Sequence, residues 1–178
     1  MDVQLKDGIY LVSGDITETC NLGDFGLPSG VVKFDLGSIR TINSCGVREW
    51  ILWITKLKIS PVYYNCPQSV VMQFNMVKEF LSNNAKVESF QIPAYCENCG
   101  EQKVFLMNSG KEFTLGKKLE YELPKCDKEG CSIESDVDFE SYFYFIENFI
   151  TTNQTLNIPI KVLSGDHLVR KSLLKSAG

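Results

Sequence analysis

The stretch Val31-Val-Lys-Phe-Asp-Leu-Gly-Ser-Ile-Arg-Thr-Ile-Asn-Ser-Cys-Gly-Val-Arg-Glu-Trp-Ile-Leu-Trp-Ile-Thr-Lys-Leu57 decides the fold, because its apolar period changes part-way along. Val31 to Leu36 is a short apolar run with β-branched members, the composition of a buried strand. Beyond Ser44 the pattern changes to i, i+3, i+4, i+7 and i+10, carried by Val47, Trp50, Ile51, Ile54 and Leu57, which is one face of a helix. Ser44 stands where an N-cap hydroxyl accepts a bond from a free first-turn amide.

The same alternation extends to both sides. Gly8 to Ser13 is expected as the first strand, and Asn21 to Gly30, with three glycines and a proline, as a loop or degraded helix. Pro61 to Asn65 is the next strand, with Pro61 at the first position, where a missing N–H is tolerated. Pro67 at N1 opens a second helix with Val70, Val71, Phe74, Val77 and Leu81 on its buried face. Lys86 to Ile92 alternates as a half-buried strand does, and Pro93 closes it. Strands alternating with helices imply an α/β layer structure over residues 1–93, a mixed sheet with helices packed on it.

After Tyr95 the texture changes. Cys96-Glu-Asn-Cys99 and Cys126-Asp-Lys-Glu-Gly-Cys131 form two close pairs separated by 26 residues. Four soft thiolates in two pairs suit a closed tetrahedral zinc site, and Gly100 and Gly130 supply the freedom a thiolate turn needs. Two local disulfides, or four unrelated core cysteines, are the alternatives. Val104 to Met107 and Leu119 to Leu123 are expected as the strands of a hairpin whose ends carry the cysteine turns, a ribbon-like module over residues 94–137. Such a module has little core of its own, so a metal would supply much of its folding energy. A closed four-cysteine site leaves no open coordination position, so the zinc is read as structural.

Residues 138–178 complete the chain as a C-terminal helix and tail packing on the rest. A helix from Asp136 has acids at its N-terminus, as the macrodipole favours. Phe139, Tyr142, Phe143, Ile146, Phe149 and Ile150 give it a core-like face. Ile158 to Leu163 is a possible edge strand and Asp166 to Lys175 a short helix.

Composition narrows the function. The formal net charge is −4, and four thiolates with one Zn²⁺ would make it −6. Residues 94–137 hold six lysines against nine acids. Both balances disfavour phosphate-neutralising contact with nucleic acid. No apolar run approaches the length of a membrane span, and the opening residues lack a signal-peptide pattern, so a cytoplasmic, thiol-reducing setting is expected. The single histidine, His167, has no nucleophile placed beside it in sequence, and no phosphate-cradling glycine loop occurs. An enzyme is not expected.

The segment from Phe34 to Val47 also resembles the signature of STAS domains, the fold of bacterial anti-sigma factor antagonists. That signature is an Asp-Leu after a strand, followed by an Asp-Ser-Ser/Thr-Gly turn that opens a helix. Asp35-Leu36 and Asn43-Ser44-Cys45-Gly46 match it, with Ile39 and Ile42 at its apolar positions. Asn65-Cys66-Pro67 is similar to the family's opening of the next helix, and the resemblance covers about residues 8 to 92. It implies a docking protein whose switch serine, here Ser44, is phosphorylated by a serine kinase or anti-sigma-type partner. Asn43 and Cys45 depart from the pattern, and Ser44 as a plain N-cap is the competing account. The leading expectation is a non-enzymatic signalling adaptor. A transcription-associated zinc ribbon and a structural subunit oligomerising through the zinc module are the alternatives.

Overall fold

Asp7 and Gly8 both have positive φ (51° and 78°), and together they make a two-residue turn that pairs Lys6 with Ile9. An Asp-Gly pair favours this geometry because its twist matches that of the flanking strands. The turn joins β1 (Asp2–Lys6) to β2 (Ile9–Ile16), so the chain begins one strand earlier than its apolar pattern suggests. The computed structural model describes residues 1–81, 84–126, 128 and 131–149. Gly130, Ile150, the expected 158–163 strand and 166–175 helix, and His167 lie outside the described residues.

β3 (Gly30–Ile42) is the central strand and runs well beyond Leu36. Its first half pairs in parallel with β4 (Ile59–Tyr64) and its second half in parallel with β2. β5 (Lys86–Val87) completes a mixed sheet in the order β1-β2-β3-β4-β5. Pro61 is not the first residue of β4 but its third, opposite Val32. It is tolerated because β5 pairs only with Val62 and Tyr63, which leaves the outer side of β4 uncovered at Pro61.

α1 (Ser44–Lys56) buries Val47, Trp50, Trp53 and Ile54. α2 (Gln68–Met76) buries Val70, Val71 and Phe74, with Pro67 as its N-cap rather than its first residue. Trp50 donates from Nε1 to the Tyr63 hydroxyl at 3.1 Å, and both side chains are buried. Phe34, Trp50, Trp53, Tyr63, Phe74 and Phe80 form a continuous aromatic centre with ring separations of 5.3 to 6.5 Å. Burial holds the Tyr63 phenol well above its ordinary pKa, so it stays neutral and available to Trp50.

Pro93 does not close a strand. β6 (Ser89–Cys96) passes through it and across the expected 93/94 boundary, pairing antiparallel with β7 (Gln102–Asn108) and β8 (Ile133–Ser135) in the order β7-β6-β8. Leu119 to Leu123 is not a strand, and β7 takes β6 as its hairpin partner instead. The aromatic segment after Asp136 forms two short helices, α3 (Phe139–Tyr142), capped by Asp138, and α4 (Tyr144–Glu147). Tyr142, Phe143, Phe145 and Ile146 join the same buried cluster as Phe34 and Trp50, so both sheets share one core. No helix among the described residues is long and apolar enough to cross a membrane.

Replacing Tyr63 with Phe removes the partner of a buried Trp50 N–H while keeping the ring. The expected cost is about 1–3 kcal/mol, the desolvation penalty of one orphaned donor. It should lower the denaturation midpoint without changing the m-value.

Candidate functional site

The cysteine site is built by strand ends. β6 terminates at Cys96, and the chain turns through Glu97 to Glu101 into β7. Gly100 N–H donates to the Cys96 carbonyl at 2.8 Å, and Cys96 N–H donates to the Glu101 carbonyl at 2.9 Å. Gly100 has φ of 69°, a left-handed value that a side chain would strain. The second pair reaches the same place by another route. Cys131 N–H donates to the Lys128 carbonyl at 3.2 Å, and β8 then pins the following residues to β6 by pairing Ile133 with Cys96.

The sulfurs of Cys96, Cys99, Cys126 and Cys131 all lie within 4.8 Å of one another, and these four residues could hold a metal ion. No cysteine is paired in a disulfide here, and because the four sulfurs lie together they are not unrelated core cysteines. Four sulfurs about 2.3 Å from a central ion stand roughly 3.8 Å apart in a tetrahedron, so the cluster needs only a small contraction. Cys96 is buried and the other three are partly exposed.

The electrostatics suit thiolate chemistry. The amide of Cys99, with help from the Cys99 thiol and the Asn98 amide, brings Cys96 down to about 7. Cys131 is pushed up to about 12, first by desolvation and then by the neighbouring Cys96. One thiol of the set is therefore readily ionised, and the last resists until a cation compensates the crowded charge. The Lys128 ammonium lies 3.7 Å from Glu101, and its pKa is raised chiefly by Cys99.

The turn before α1 differs from expectation in one respect. Asn43, not Ser44, is the N-cap, and its Oδ1 accepts from Gly46 N–H at 2.8 Å. Asn43 Nδ2 also donates to Glu18 Oε2 at 2.7 Å, which lowers the Glu18 pKa. Asn43 N–H donates to the Ile16 carbonyl at 3.2 Å, fixing the turn to the end of β2. A short amide side chain caps as well as a hydroxyl does, so the cap moved back one residue. Ser44 and Cys45 are exposed and take no part in the cap. Gly46 is buried against β2, where a β-carbon would overlap the Ile16 carbonyl.

A polar network escaped the sequence reading. The Asp35 carboxylate accepts from Gly37 N–H at 2.9 Å and from Asn65 Nδ2 at 2.7 Å. Asn65 sits in the left-handed region (φ 54°), donates its N–H to Ser89 Oγ at 2.8 Å, and accepts from Gln91 Nε2 on its carbonyl at 3.2 Å. Asp35 and Asn65 were visible only as motif letters 30 residues apart. The one available signal was an acid inside an otherwise apolar strand, which demands a partner. Among the described residues, no buried side-chain nitrogen or oxygen of the network lacks a partner, and its bonds clamp β3 and the end of β4 to β6. The nearby Cys66 thiol is buried and held well above its ordinary pKa by desolvation.

Compared with known proteins, the chain matches no family model, no curated protein and no solved structure.

Two outcomes test this geometry. Metal binding should show one ion per chain with tetrathiolate ligation, and should weaken as pH falls, because a proton on Cys131 and, below about 7, a further one on Cys96 compete with the ion. Titration in weak buffer should register proton release. A Cys96→Ser, Cys126→Ser variant should lose more than about 100-fold in affinity. Separately, Gly46→Ala should cost about 2–3 kcal/mol by forcing α1 off the end of β2. Cys45→Ser should stay within about 0.5 kcal/mol of the parent. Thermal melts of both variants provide the measurement.

Proposed function

We propose that the protein is a non-enzymatic docking module: a STAS-like domain extended by a ribbon-like module that a structural zinc ion staples. The observation that carries the reading is the build of the α1 N-terminus. Asn43 and Gly46 are locked to β2, while Ser44 and Cys45 face solvent on the first turn. A rigid turn that presents a free hydroxyl beside unpaired helix amides is a good place for a phosphate to act as a switch.

The motif pieces support the family reading by their positions. Asp35-Leu36 lies in β3, Asn43–Gly46 opens α1, and Asn65-Cys66-Pro67 leads into α2. The Asp35–Asn65 hydrogen bond joins two of these pieces directly. The all-cysteine ligand set and closed geometry favour zinc, and a reducing, cytoplasmic setting keeps such thiols available. A serine kinase or anti-sigma-type regulator is the partner class that fits. Phosphorylation of Ser44 would add charge close to Glu18, so the phosphorylated turn would repel an acidic partner surface.

A second reading, oligomerisation through the zinc module, is favoured by β7. This edge strand exposes Val104 and Leu106. Solution mass with and without chelator separates the two readings.

Because Asn43 makes the cap, Ser44 can be changed without unfolding α1. Ser44→Ala and Ser44→Asp should both melt within about 0.5 kcal/mol of the parent. Against purified serine-kinase-type regulators, Ser44→Ala should bind as the parent does, and Ser44→Asp should bind at least about tenfold more weakly. Equal binding by all three proteins, or none by any, rejects the reading.

A further inference from the structure

The charge of the chain is divided unevenly along its length. Residues 1–149 carry 14 lysines and arginines against 21 acids, a net of −7. Residues 150–178 carry Lys161, Arg170, Lys171 and Lys175 against Asp166 alone, a net of +3. That basic segment is also apolar, with Ile158, Ile160, Val162 and Leu163 in one run and Leu168, Val169, Leu173 and Leu174 in another.

On the folded body, a cleft of about 910 Å³ runs between residues 118–122 and the α3–α4 segment. Leu119, Tyr121, Phe139 and Phe143 give it an apolar floor, with Tyr121 against Phe139 at 6.3 Å and Phe139 stacked on Phe143 at 4.9 Å. Glu120, Glu122, Glu140 and Glu147 form its rim, and all four are exposed. The one cation in the lining, Lys118, pairs with Glu120 at 3.5 Å, which leaves the rim at a net of −3. An apolar floor inside an acidic rim selects a ligand that is apolar and basic together.

We propose that this cleft binds the chain's own segment 158–175. Asn148 lines the cleft, and the described chain leaves at Phe149, beside it. Eight residues separate Phe149 from Ile158, a reach of up to about 30 Å over nine Cα–Cα steps when extended. A leash of that length gives the segment an effective concentration in the millimolar range, well above that of any free peptide. The charges are opposite in sign and equal in size, +3 on the segment and −3 on the cleft. The body of a second copy is a poor occupant, because its own −7 charge opposes the same acidic rim.

Zero-length carbodiimide cross-linking on the full chain reads this contact, since it joins a carboxylate to an amine only when they touch. An equimolar mixture of ¹⁵N-labelled and unlabelled protein separates contacts within a chain from those between chains. The expected links join Lys161, Lys171 or Lys175 to Glu120, Glu122, Glu140 or Glu147 within one isotopic species. They should fall by about fivefold or more at about 0.5 M salt, where screening is strong. Reversing the segment (Lys161→Glu, Arg170→Glu, Lys171→Glu, Lys175→Glu) should abolish them. Reversing the rim as well (Glu120→Lys, Glu122→Lys, Glu140→Lys, Glu147→Lys) should restore links of opposite polarity, which shows that both variants remain folded and competent. Links spread over all exposed carboxylates, links only between isotopic species, or no recovery in the double reversal each overturn the proposal.

Discussion

The structure turns on the hydrogen bonds between Asn65–Cys66 and Ser89–Gln91. Cys66 N–H donates to the Ser89 carbonyl, Gln91 N–H donates to the Cys66 carbonyl, and Asn65 exchanges bonds with the Ser89 hydroxyl. These bonds lie where the parallel sheet runs out, since β5 is only two residues long. Without them the polar groups at the end of β4 would be buried and unpaired, at a cost of about 1–3 kcal/mol each. With them, the outgoing chain is aimed from the edge of the first sheet into β6. Asn65 can make the turn because asparagine tolerates the left-handed region, and Asp35 holds its side chain in place.

That junction changes what the cysteine site means. The first cysteine ends a strand whose Phe90, Ile92 and Ala94 are buried, and Phe90 packs on Phe113, Tyr142 and Phe145. The Tyr142 hydroxyl donates to the Gln91 carbonyl at 2.6 Å, tying α3 to the same strand. Half of the ligand set is therefore held by the main core. The other half, Cys126 and Cys131, follows residues 117–125, which belong to no strand or helix. A metal there would fasten the weakly held half to the strongly held half, where cross-linking restricts the unfolded chain most.

The elements legible in sequence were those whose signal is local. The period of Val47 to Leu57 marks α1, and the spacing of the four cysteines marks the cluster, because both rest on short-range geometry. The misread elements depended on partners far along the chain. Pro93 resembles a strand end by itself, yet β6 accommodates it because Pro93 pairs with Val104 of β7 on one side, while β8 pairs on the other side only from Ala94 onward. Leu119 to Leu123 alternates like a strand, but β7, which directly follows the cysteine turn, already pairs with β6. The Asp7-Gly8 turn was a readable signal, and β1 was missed only because Asp2 to Lys6 is mostly exposed and shows little apolar pattern.

The α1 turn takes its cap from Asn43 and leaves the neighbouring Ser44 hydroxyl exposed. When a serine caps a helix, its oxygen is engaged by a backbone amide, and a phosphate placed on it would have to displace that bond. Here the amide of Asn43 engages Gly46 N–H, and Gly46 lets the turn lie flush against Ile16. Asparagine thus caps the helix without placing a negative charge at its N-terminus. The hydroxyl of Ser44 is left outside the scaffold that positions it. A phosphate there would change the surface charge of the turn without altering the hydrogen bonds that hold α1 to β2.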